Sequence, residues 1–584
     1  MGGGGKLTAL LVASTVFSVA SIHAATETTF TDPGNTGDIS LPAAWGGTMP
    51  GTTSSDNAII KDVSRTLTAS NDVTFGILKY NRSSSKPQMN LILDMTDSAA
   101  GITDGTGPRK INLHGMKFDT TSISVELKGG LWDFYDTTDL SSNVIAGGSS
   151  NNVVILSSGA VVTNMSGGGY NHFNSGGKFN AIRLLGGSVW HTRSSHWPFR
   201  GGSYNAFQVL EGSKLIVSGE MELGRVGSAV SALSHSRIEI SGNGSNASVG
   251  NNTYIGNYAS TVGSGGNSLY VTNNATATFK TIYAGYATRS NLVQLDSGAS
   301  ADATDLYVGY NAGASNNVVF VGGGASLNVS SIKVGLNGAC GNTFFVSNGT
   351  VTCSSTSSSF ALGTVSSTAA ARGSNNLIRV MGANTTFAHA GGGPFGQGDY
   401  NTIEVDGTTL PWSSCSFEFS NTSGSLKFSN RGNTVRLKNG AVLTSGNFRL
   451  GNTAANQDRG EHVLDISGGS RLSANWIMVY SNDTVRIKIP RQGLDKPAVT
   501  VGNYLRFNTD SILDIDASEW KEGPSTCVLM RSQYGTTSGA DAQVRVDQNT
   551  LDAVNARLGG RFIVALEGKE LTIHRVRGIT VSFR

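Results

Sequence analysis

The stretch NVVFVGGGASLNVSSIKVG, residues 317–335, decides the fold of this chain. It opens with an asparagine and then places apolar side chains at every second position, which is the pattern of a strand with one buried face. After the glycine run at 322–324 the same alternation returns twice, and the stretch ends at Gly335. Three short strands joined by glycine corners within about 25 residues are typical of one coil of a parallel β-helix.

The opening motif of that stretch, Asn-x-apolar-x-apolar, recurs along most of the chain. Successive copies lie 24 to 34 residues apart, which suits one coil per copy, whereas a propeller blade needs four strands and about 40 residues. Serine and histidine each replace the asparagine once. The copies begin at Asn152, Asn180, Asn205, Ser236, Asn267, Asn291, Asn317, Asn342, Asn376, Asn401, Asn433 and His462.

We therefore predict an all-β protein: a single-stranded parallel β-helix, or solenoid, of about twelve or more coils with N- and C-terminal caps. Residues 151–484 hold the regular coils. Residues 25–150 carry weaker strand patterns and form the N-terminal cap and first coils. Residues 485–584 form a C-terminal β-rich cap with one short helix at Gln548–Leu558. Caps are expected because the open ends of a β-helix expose unpaired strand edges.

Equivalent positions of successive coils should stack about 4.8 Å apart in columns. The motif asparagine shares the parity of the buried apolar pair, so we predict an inward ladder of amide side chains. The fourth motif position points outward and reads Arg379, Glu404, Arg436 and Asp465 in the last four copies. Opposite charges alternate down this column, which predicts a ladder of ion pairs and gives both acids a structural role.

Composition excludes several classes of protein. The 584 residues include 76 glycines but only 11 prolines, and glycine shows no three-residue period, which excludes collagen. Charged residues make up 14% and hydrophobic residues 38%, which does not fit classical disorder or a coiled coil. The formal net charge of +3 is too small to indicate a nucleic acid as partner.

Residues 1–24 have the pattern of a secretory signal peptide. Lys6 supplies the positive charge, an apolar stretch follows from Leu7 to Ala20, and Ala24 ends a small-residue cleavage site. A transmembrane anchor is the alternative, but the stretch is short and contains several serines, and a span needs about 20 apolar residues. We expect export out of the cell, no membrane-spanning segment after cleavage, and no C-terminal membrane barrel.

The four cysteines leave two interpretations open. None of them forms a Cys-x-x-Cys pair, so a zinc site is not expected. Cys340 and Cys353 lie 13 residues apart, and an exported protein permits a disulfide between them. Alternatively, all four cysteines are small buried hydrophobic residues.

The chain resembles the secreted, autotransporter-passenger-type β-helical proteins of bacteria. The Asn motif, the Gly-Ala-x-Leu phrase at 324–327 and the Val-Gly phrase carry this resemblance, which covers most of the chain. The N-terminal phrase AWGGTMPG at 44–51, followed by NAII at 57–60, adds to it. The resemblance implies a bacterial protein that is secreted or held at the cell surface and is often adhesive, with no catalytic residues to carry over.

Two pairs of acids are candidates for catalytic carboxylates, because β-helices also host polysaccharide lyases and hydrolases. Asp302 belongs to a second strand and Asp305 to the turn after it, where a solvated role is expected. Asp133 and Asp136 lie among aromatic residues, and we expect capping or turn roles for them. The sequence therefore predicts no catalytic residue, no metal site and no cofactor.

Two groups of residues are candidates for ligand binding. Outward tyrosines on third strands, with two more after the following glycine, predict either a structural aromatic ladder or a flat strip that binds sugars or a protein. In the segment HTRSSHWPFR at 191–200, we predict that His191 and Arg193 lie where a strand ends and that His196, Trp197 and Arg200 lie in a turn, which is either a plain surface loop or a contact for a glycan or an anion. The candidate residues are Tyr254, Tyr283, Tyr286, Tyr307, Tyr310, His191, Arg193, His196 and Trp197.

The predicted function is that of a secreted or cell-surface structural protein of adhesin-like type, without catalytic activity. The alternative is a polysaccharide-binding or polysaccharide-degrading protein on the same scaffold. Possible partners are a polysaccharide or a surface protein. Outward apolar residues on first strands (Tyr270, Phe320 and Phe345) add the possibility of self-association.

Overall fold

The structure is a computed structural model of the chain. It describes residues 26–32, 37–52, 56–63, 65–81, 89–96, 110–118, 121–134, 145–146, 150–164, 171–173, 177–192, 195–199, 202–224, 234–257, 265–355, 360–364, 372–382, 384–390, 398–407, 415–419, 425–428, 430–451, 458–533 and 544–576. The predicted signal peptide lies outside these residues.

The chain forms a parallel β-solenoid of about 13 turns, which confirms the predicted fold class. The first strand of each coil belongs to one parallel sheet, called sheet 1. Its strands are Thr66–Thr68, Met89–Asp94, Ile123–Lys128, Val153–Ser157, Ala181–Leu184, Ala206–Val209, Arg237–Ser241, Ser268–Thr272, Leu292–Leu295, Val318–Gly322, Thr343–Ser347, Leu377–Met381, Thr402–Asp406, Thr434–Lys438, Val463–Ile466, Thr484–Lys488 and Ile512–Asp516.

The second and third strands of each coil build the other sheet, sheet 2, which is parallel except at its C-terminal strands. In several coils they join into one bent strand, as in Ser300–Val308, where Thr304 is left out of the pairing on both sides. The strands are Glu27–Thr29, Asn57–Lys61, Val73–Asn81, Lys110–Phe118, Leu131–Phe134, Ile145–Ala146, Val161–Asn164, Asn171–Phe173, Val189–Thr192, His196–Phe199, Lys214–Val217, Met221–Leu223, Asn246–Ile255, Thr276–Ala284, Ser300–Val308, Ser326–Val334, Thr350–Cys353, Phe360–Leu362, Thr385–His389, Cys415–Phe419, Ser425–Lys427, Val442–Leu450, Arg471–Val479, Val499–Val501, Leu505–Phe507, Thr526–Ser532, Val544–Arg545, Phe562–Glu567 and Glu570–Arg575. A small separate pair joins Asn430–Arg431 to Asp458–Gly460, and a 3-10 turn covers Pro42–Trp45.

The core is a set of apolar columns that run along the solenoid axis. Leu306 pairs with Ile332 and Val308 with Val334, and all four side chains are fully buried. Because strand side chains alternate in direction, each coil puts its apolar pair inward and its intervening residues outward, as the sequence predicted.

The motif asparagines form one continuous buried ladder. In each step the backbone N–H of a ladder residue donates to the side chain of the equivalent residue in the next coil, as from Asn317 to Asn342 Oδ1 at 3.1 Å and from Asn342 to Asn376 Oδ1 at 3.0 Å; the acceptor is an oxygen except at His462, where it is Nδ1. Serine and histidine take the same part where they replace asparagine. The ladder comprises Asn152, Asn180, Asn205, Ser236, Asn267, Asn291, Asn317, Asn342, Asn376, Asn401, Asn433, His462 and Asp483.

The glycine that ends each third strand makes room for this ladder. Gly309 and Gly335 have left-handed backbone angles, with φ of 73° and 72°. A Cβ at Gly309 would overlap the amide of Asn342, and one at Gly335 would overlap the amide of Asn376. The Val-Gly phrase is therefore explained twice, by the backbone angle and by the close approach of a buried asparagine.

The predicted charge column is confirmed and extends further than the sequence motif. Arg379 Nε lies 3.1 Å from Glu404 Oε1, and Arg436 contacts both Glu404 and Asp465. In register, Arg486 and then Asp514 follow in the same column, 2.8 Å apart. Burial raises the pKa of Glu404, but hydrogen bonds from Lys438 and Arg436 outweigh it and hold the pKa below its ordinary value.

Parallel coils continue in register beyond residue 484, through Ile512–Asp516. Antiparallel pairing then begins, with Thr526–Ser532 against Glu570–Arg575 and the latter against Phe562–Glu567. Helix α1 spans Gln548–Leu558, the range predicted from the sequence; Asp547 caps its N-terminus and Gly559 its C-terminus. This mixed β-sheet and helix have the position expected of a cap.

Cys340 and Cys353 form no disulfide with each other in this structure, and the Cys353 thiol donates to the carbonyl oxygen of Ser330 at 3.0 Å. Cys353 and Cys527 are buried, which fits the alternative of small hydrophobic residues, whereas Cys340 is exposed. The side chain of Cys415 lies outside the described residues. Within the described parts of the chain, no helix is long and apolar enough to cross a membrane.

Candidate functional site

Five predicted tyrosines lie together on the outer surface of sheet 2 and the corner that follows it. They are called the tyrosine cluster: Tyr254, Tyr283, Tyr286, Tyr307 and Tyr310. Strand register puts three of them in one column, and their rings stack with centroids 4.8 Å apart at both steps and planes within 10°. All five are half-buried, so the predicted outward position is confirmed.

A second stack stands against the first at nearly a right angle. Tyr286 and Tyr310 each follow the glycine that ends a third strand, and their centroids lie 5.0 Å apart. Tyr310 meets the Tyr283 ring at 5.4 Å and 87° and the Tyr307 ring at 5.1 Å and 88°. Offset stacks and edge-to-face contacts are the favourable aromatic geometries, so the cluster stabilises itself.

Charged residues of opposite sign continue the stacked column at its two ends. Glu222 pairs in register with Tyr254, and Lys333 pairs with Tyr307. The Lys333 ammonium lies 5.1 Å from the Tyr307 ring centroid and donates to its hydroxyl at 3.3 Å. Asn257 donates to Glu222 at 2.9 Å. Along the rod, the column therefore consists of one acidic residue, three aromatic rings and one basic residue.

The chemistry of the cluster is that of neutral phenols. Burial raises the pKa of Tyr254 to about 12 and that of Tyr283 further still. Both hydroxyls stay protonated near neutral pH, where they donate and accept hydrogen bonds. Since Tyr254 and Tyr307 cover the two faces of Tyr283, a ligand meets ring edges and hydroxyls there and has no open face of Tyr283 on which to stack.

The segment at 191–200 is built differently from the predicted turn. His191 is half-buried in the strand Val189–Thr192, and His196 begins the strand His196–Phe199. Arg193 and the side chain of Trp197 lie outside the described residues. The turn prediction was wrong at His196, because His196–Phe199 is a strand. Pro198 lies where the register shifts between His196 and Phe199, and such an irregularity tolerates a residue without an N–H.

His196 belongs to the core. It is 1% exposed and lies between the rings of Trp190 and Phe207, with centroids at 5.7 and 5.2 Å. Among the described residues, neither of its ring nitrogens has a hydrogen-bond partner. Burial lowers the pKa of His196 to about 3, so the imidazole is neutral in the folded protein.

An exposed aromatic row was missed by the sequence analysis. Phe179, Tyr204 and His235 each stand directly before a ladder residue, at the corner between coils, and we call them the corner row. Tyr204 stacks on Phe179 at 5.3 Å and on His235 at 5.2 Å, with planes 12° and 20° apart. The signal was present in the sequence, because an aromatic ring precedes the motif in three consecutive copies.

The candidate catalytic acids Asp133, Asp302 and Asp305 contact residues of neighbouring coils. Asp133 is 6% exposed, accepts from Thr163 at 2.9 Å and lies 3.0 Å from Lys110 Nζ. Asp302 accepts from Asn328, and Asp305 accepts from Ser331. The turn predicted at Asp305 was wrong, because the second and third strands run on through it. Asp136 lies outside the described residues.

Within the described part of the chain, no group of three or more His, Cys, Asp and Glu side chains is arranged to hold a metal ion. A scan against protein-family models finds no match. A search of the curated proteins likewise finds no similar sequence. The fold is therefore assigned from the structure alone, and no family is assigned to the chain.

Proposed function

We propose that this chain is a secreted or cell-surface β-helical structural protein of adhesin-like type, with no catalytic activity of its own. In this proposal it is a bacterial passenger-type rod that works by presenting long regular faces. The observation that carries the proposal is the uninterrupted asparagine ladder. It joins coil to coil by the same buried hydrogen bond from Asn152 to Asp483 and makes the solenoid one stiff, repeated support.

The use made of carboxylates supports a structural role. A glycoside hydrolase needs two carboxyl groups free to act on one substrate bond. Glu404 contacts three cations, from Arg379, Arg436 and Lys438, at 3.1 to 3.3 Å. Asp302 and Asp305 accept hydrogen bonds from the following coil. These acids hold coils together.

Polysaccharide binding on the same scaffold is the second candidate, and the tyrosine cluster favours it. Its phenol edges are half-exposed and the hydroxyls of Tyr254 and Tyr283 are neutral hydrogen-bonding groups, which suits a sugar hydroxyl better than an ionic ligand. Self-association through Tyr270, Phe320 and Phe345 is a further possibility. In that column Arg379 lies over the Phe345 ring at 5.7 Å and limits its exposed apolar area.

The test uses the exported chain on a panel of polysaccharides. Affinity gel electrophoresis measures retardation, and the same mixtures are assayed for new reducing or unsaturated ends. We expect no new ends from any substrate. Light scattering over a range of protein concentrations measures self-association.

Each outcome has a definite meaning. New ends would overturn the structural role and return attention to Asp133, Asp302 and Asp305. Retardation without cleavage supports an adhesive, glycan-binding surface. Tyr283→Phe removes one hydroxyl and keeps the ring stack, so weaker retardation with an unchanged melting temperature would assign binding to the cluster. An absence of both retardation and self-association would contradict the adhesin-like role.

A further inference from the structure

We propose that the corner row is a binding site for an acidic polysaccharide, a chain of sugars that carries carboxylate or sulfate groups. This inference deepens the function proposed above and rests on it for the exposure of the rod to surface polymers. It concerns Phe179, Tyr204 and His235, together with the polar and basic side chains beside them. The tyrosine cluster is a separate feature of the surface.

The first argument is the backbone conformation of the corner. The residue before each ladder position has a left-handed φ, which glycine and asparagine adopt readily and bulky residues avoid. Most coils follow this rule, but three consecutive ones place rings there. The corner residues are Asn151, Phe179, Tyr204, His235, Gly266, Ser290, Asn316, Gly341, Asn375, Tyr400, Gly432, Glu461 and Asn482.

Exposure is the second argument. Phe179 is 55% exposed and Tyr204 is 52% exposed, the two largest values among the large hydrophobic residues described. These rings therefore add little to the core while they occupy an unfavourable backbone region. Strained positions of this kind concentrate at functional sites. The row ends over Gly266, where a Cβ would lie 3.0 Å from the His235 ring.

A second column of residues lies beside the row, formed by the residue that comes directly before each corner residue in the sequence. Lys178, Ser203, Ser234, Gly265 and Arg289 stack in register through isolated parallel bridges. The Ser203 and Ser234 hydroxyls lie 3.0 Å apart. Exposed ring edges beside these two hydroxyls suit a sugar, which offers C–H groups and hydroxyl groups.

Charge identifies the class of sugar. Lys178 and Arg289 are exposed, and no carboxylate of the described residues pairs with either of them. Arg237, two positions after His235, lies 3.6 Å from Glu239, which also accepts from Gln208. The corner therefore has an excess of positive charge beside its rings, and an anionic chain complements it.

The structure supplies a matched set of variants. Asparagine is the natural occupant of this corner at Asn151, Asn316 and Asn375, so Phe179→Asn, Tyr204→Asn and His235→Asn combined should fold with an unchanged or higher melting temperature. Tyr400→Asn is the control, because Tyr400 has the same backbone conformation but the corner residues of the two adjacent coils, Asn375 and Gly432, carry no aromatic ring.

The probes are polygalacturonate, heparin, uncharged hydroxyethyl cellulose and single-stranded DNA, in affinity electrophoresis with the full chain. We expect polygalacturonate or heparin to retard the protein, and the triple variant to lose affinity by at least about tenfold. Tyr400→Asn should match the wild type. Lys178→Gln with Arg289→Gln should weaken retardation and reduce its dependence on salt.

Several results would overturn the site. They are equal retardation of the triple variant and the wild type, stronger binding to the uncharged polymer or to DNA, and no retardation by either acidic polymer. A triple variant that keeps wild-type retardation would remove the corner site and leave the adhesin-like function standing. New reducing or unsaturated ends would instead remove the proposed function while binding at the corner row could still be scored.

Discussion

At the scale of single residues, the buried polar side chains of the solenoid core differ in whether their atoms have hydrogen-bond partners. Asn342 is fully buried, accepts from Asn317 and donates to the carbonyl oxygens of Ala314 and Cys340. Its polar atoms are thus satisfied, as buried polar groups require. His196 is the opposite case, a buried imidazole in an aromatic pocket without a polar partner among the described residues. Residues of these two kinds should respond differently to pH and to substitution.

His196 should make the protein sensitive to acid. Its pKa is about 3 in the folded protein and about 6.5 when unfolded, so the unfolded chain binds a proton that the folded chain does not. The free energy of unfolding should fall by about 1.4 kcal/mol per pH unit below pH 6.5, until pH approaches 3. Met221 occupies the paired position of the next coil, so His196→Met should fold and lose this dependence.

Urea unfolding at several pH values between 7 and about 4.5 measures the effect. The difference between His196→Met and the wild type should widen as the pH falls. Parallel curves for the two proteins would contradict the prediction and show that His196 is not the group responsible.

At the scale of elements, each outward column has its own chemistry. The column on sheet 1 changes along its length from Arg183, Gln208 and Glu239 to apolar residues and then to alternating charges. Parallel register forces this organisation, because a one-coil shift places each residue on its equivalent. Stacking of like groups is favourable for rings and amides, whereas charges must alternate.

Glu404 should be the most sensitive position in the charge column. Its side chain is 10% exposed and its carboxylate contacts three cations, so Glu404→Gln should destabilise the protein by about 1–2 kcal/mol. Asp514→Asn is the control, since Asp514 is 37% exposed and pairs with Arg486 at the end of the column. That variant should lose less than about 0.5 kcal/mol. Urea unfolding at neutral pH compares them, and equal losses would refute the ranking.

At the scale of the whole molecule, the repeat was the most predictable feature. The Asn motif predicted the ladder, and the signs at Arg379, Glu404 and Arg436 predicted the ion pairs, because parallel coils copy a sequence position into a column. Local departures from the repeat were harder to predict from the sequence. A turn was predicted at His196, where the structure has an irregular strand, and another at Asp305, where a continuous strand runs.

The candidate site was predictable in position but less so in geometry. Alternation in the third strand gave the outward column of tyrosines, but ring spacing decides whether Tyr283 has an open face, and sequence does not give ring spacing. The corner row was missed for a different reason. The motif was defined from its asparagine onward, and the residue before it, here Tyr204, carries the distinctive chemistry.

A substitution that breaks the buried ladder should destabilise the coils next to it more than distant coils. Asn342→Leu removes the acceptor of the Asn317 backbone N–H and of its side-chain amide, and it takes one of two donors from the Ala314 carbonyl, which should reduce stability by about 3–5 kcal/mol. Because each coil contacts only its neighbours, the damage should open the coils around residue 342 first. His462 already serves in the ladder by accepting at Nδ1 from Asn433 at 3.1 Å, so His462→Asn should change stability by less than about 1 kcal/mol.

Hydrogen exchange resolved along the chain distinguishes a local break from global unfolding. Asn342→Leu should lose protection in Val318–Gly322, Thr343–Ser347 and Leu377–Met381 while Val153–Ser157 keeps wild-type protection. Uniform loss along the rod would mean that the coils unfold as one cooperative unit and that the nearest-neighbour description fails. Wild-type exchange in Asn342→Leu would mean that the buried ladder contributes little to stability. The ladder would then no longer support the proposal of a stiff rod.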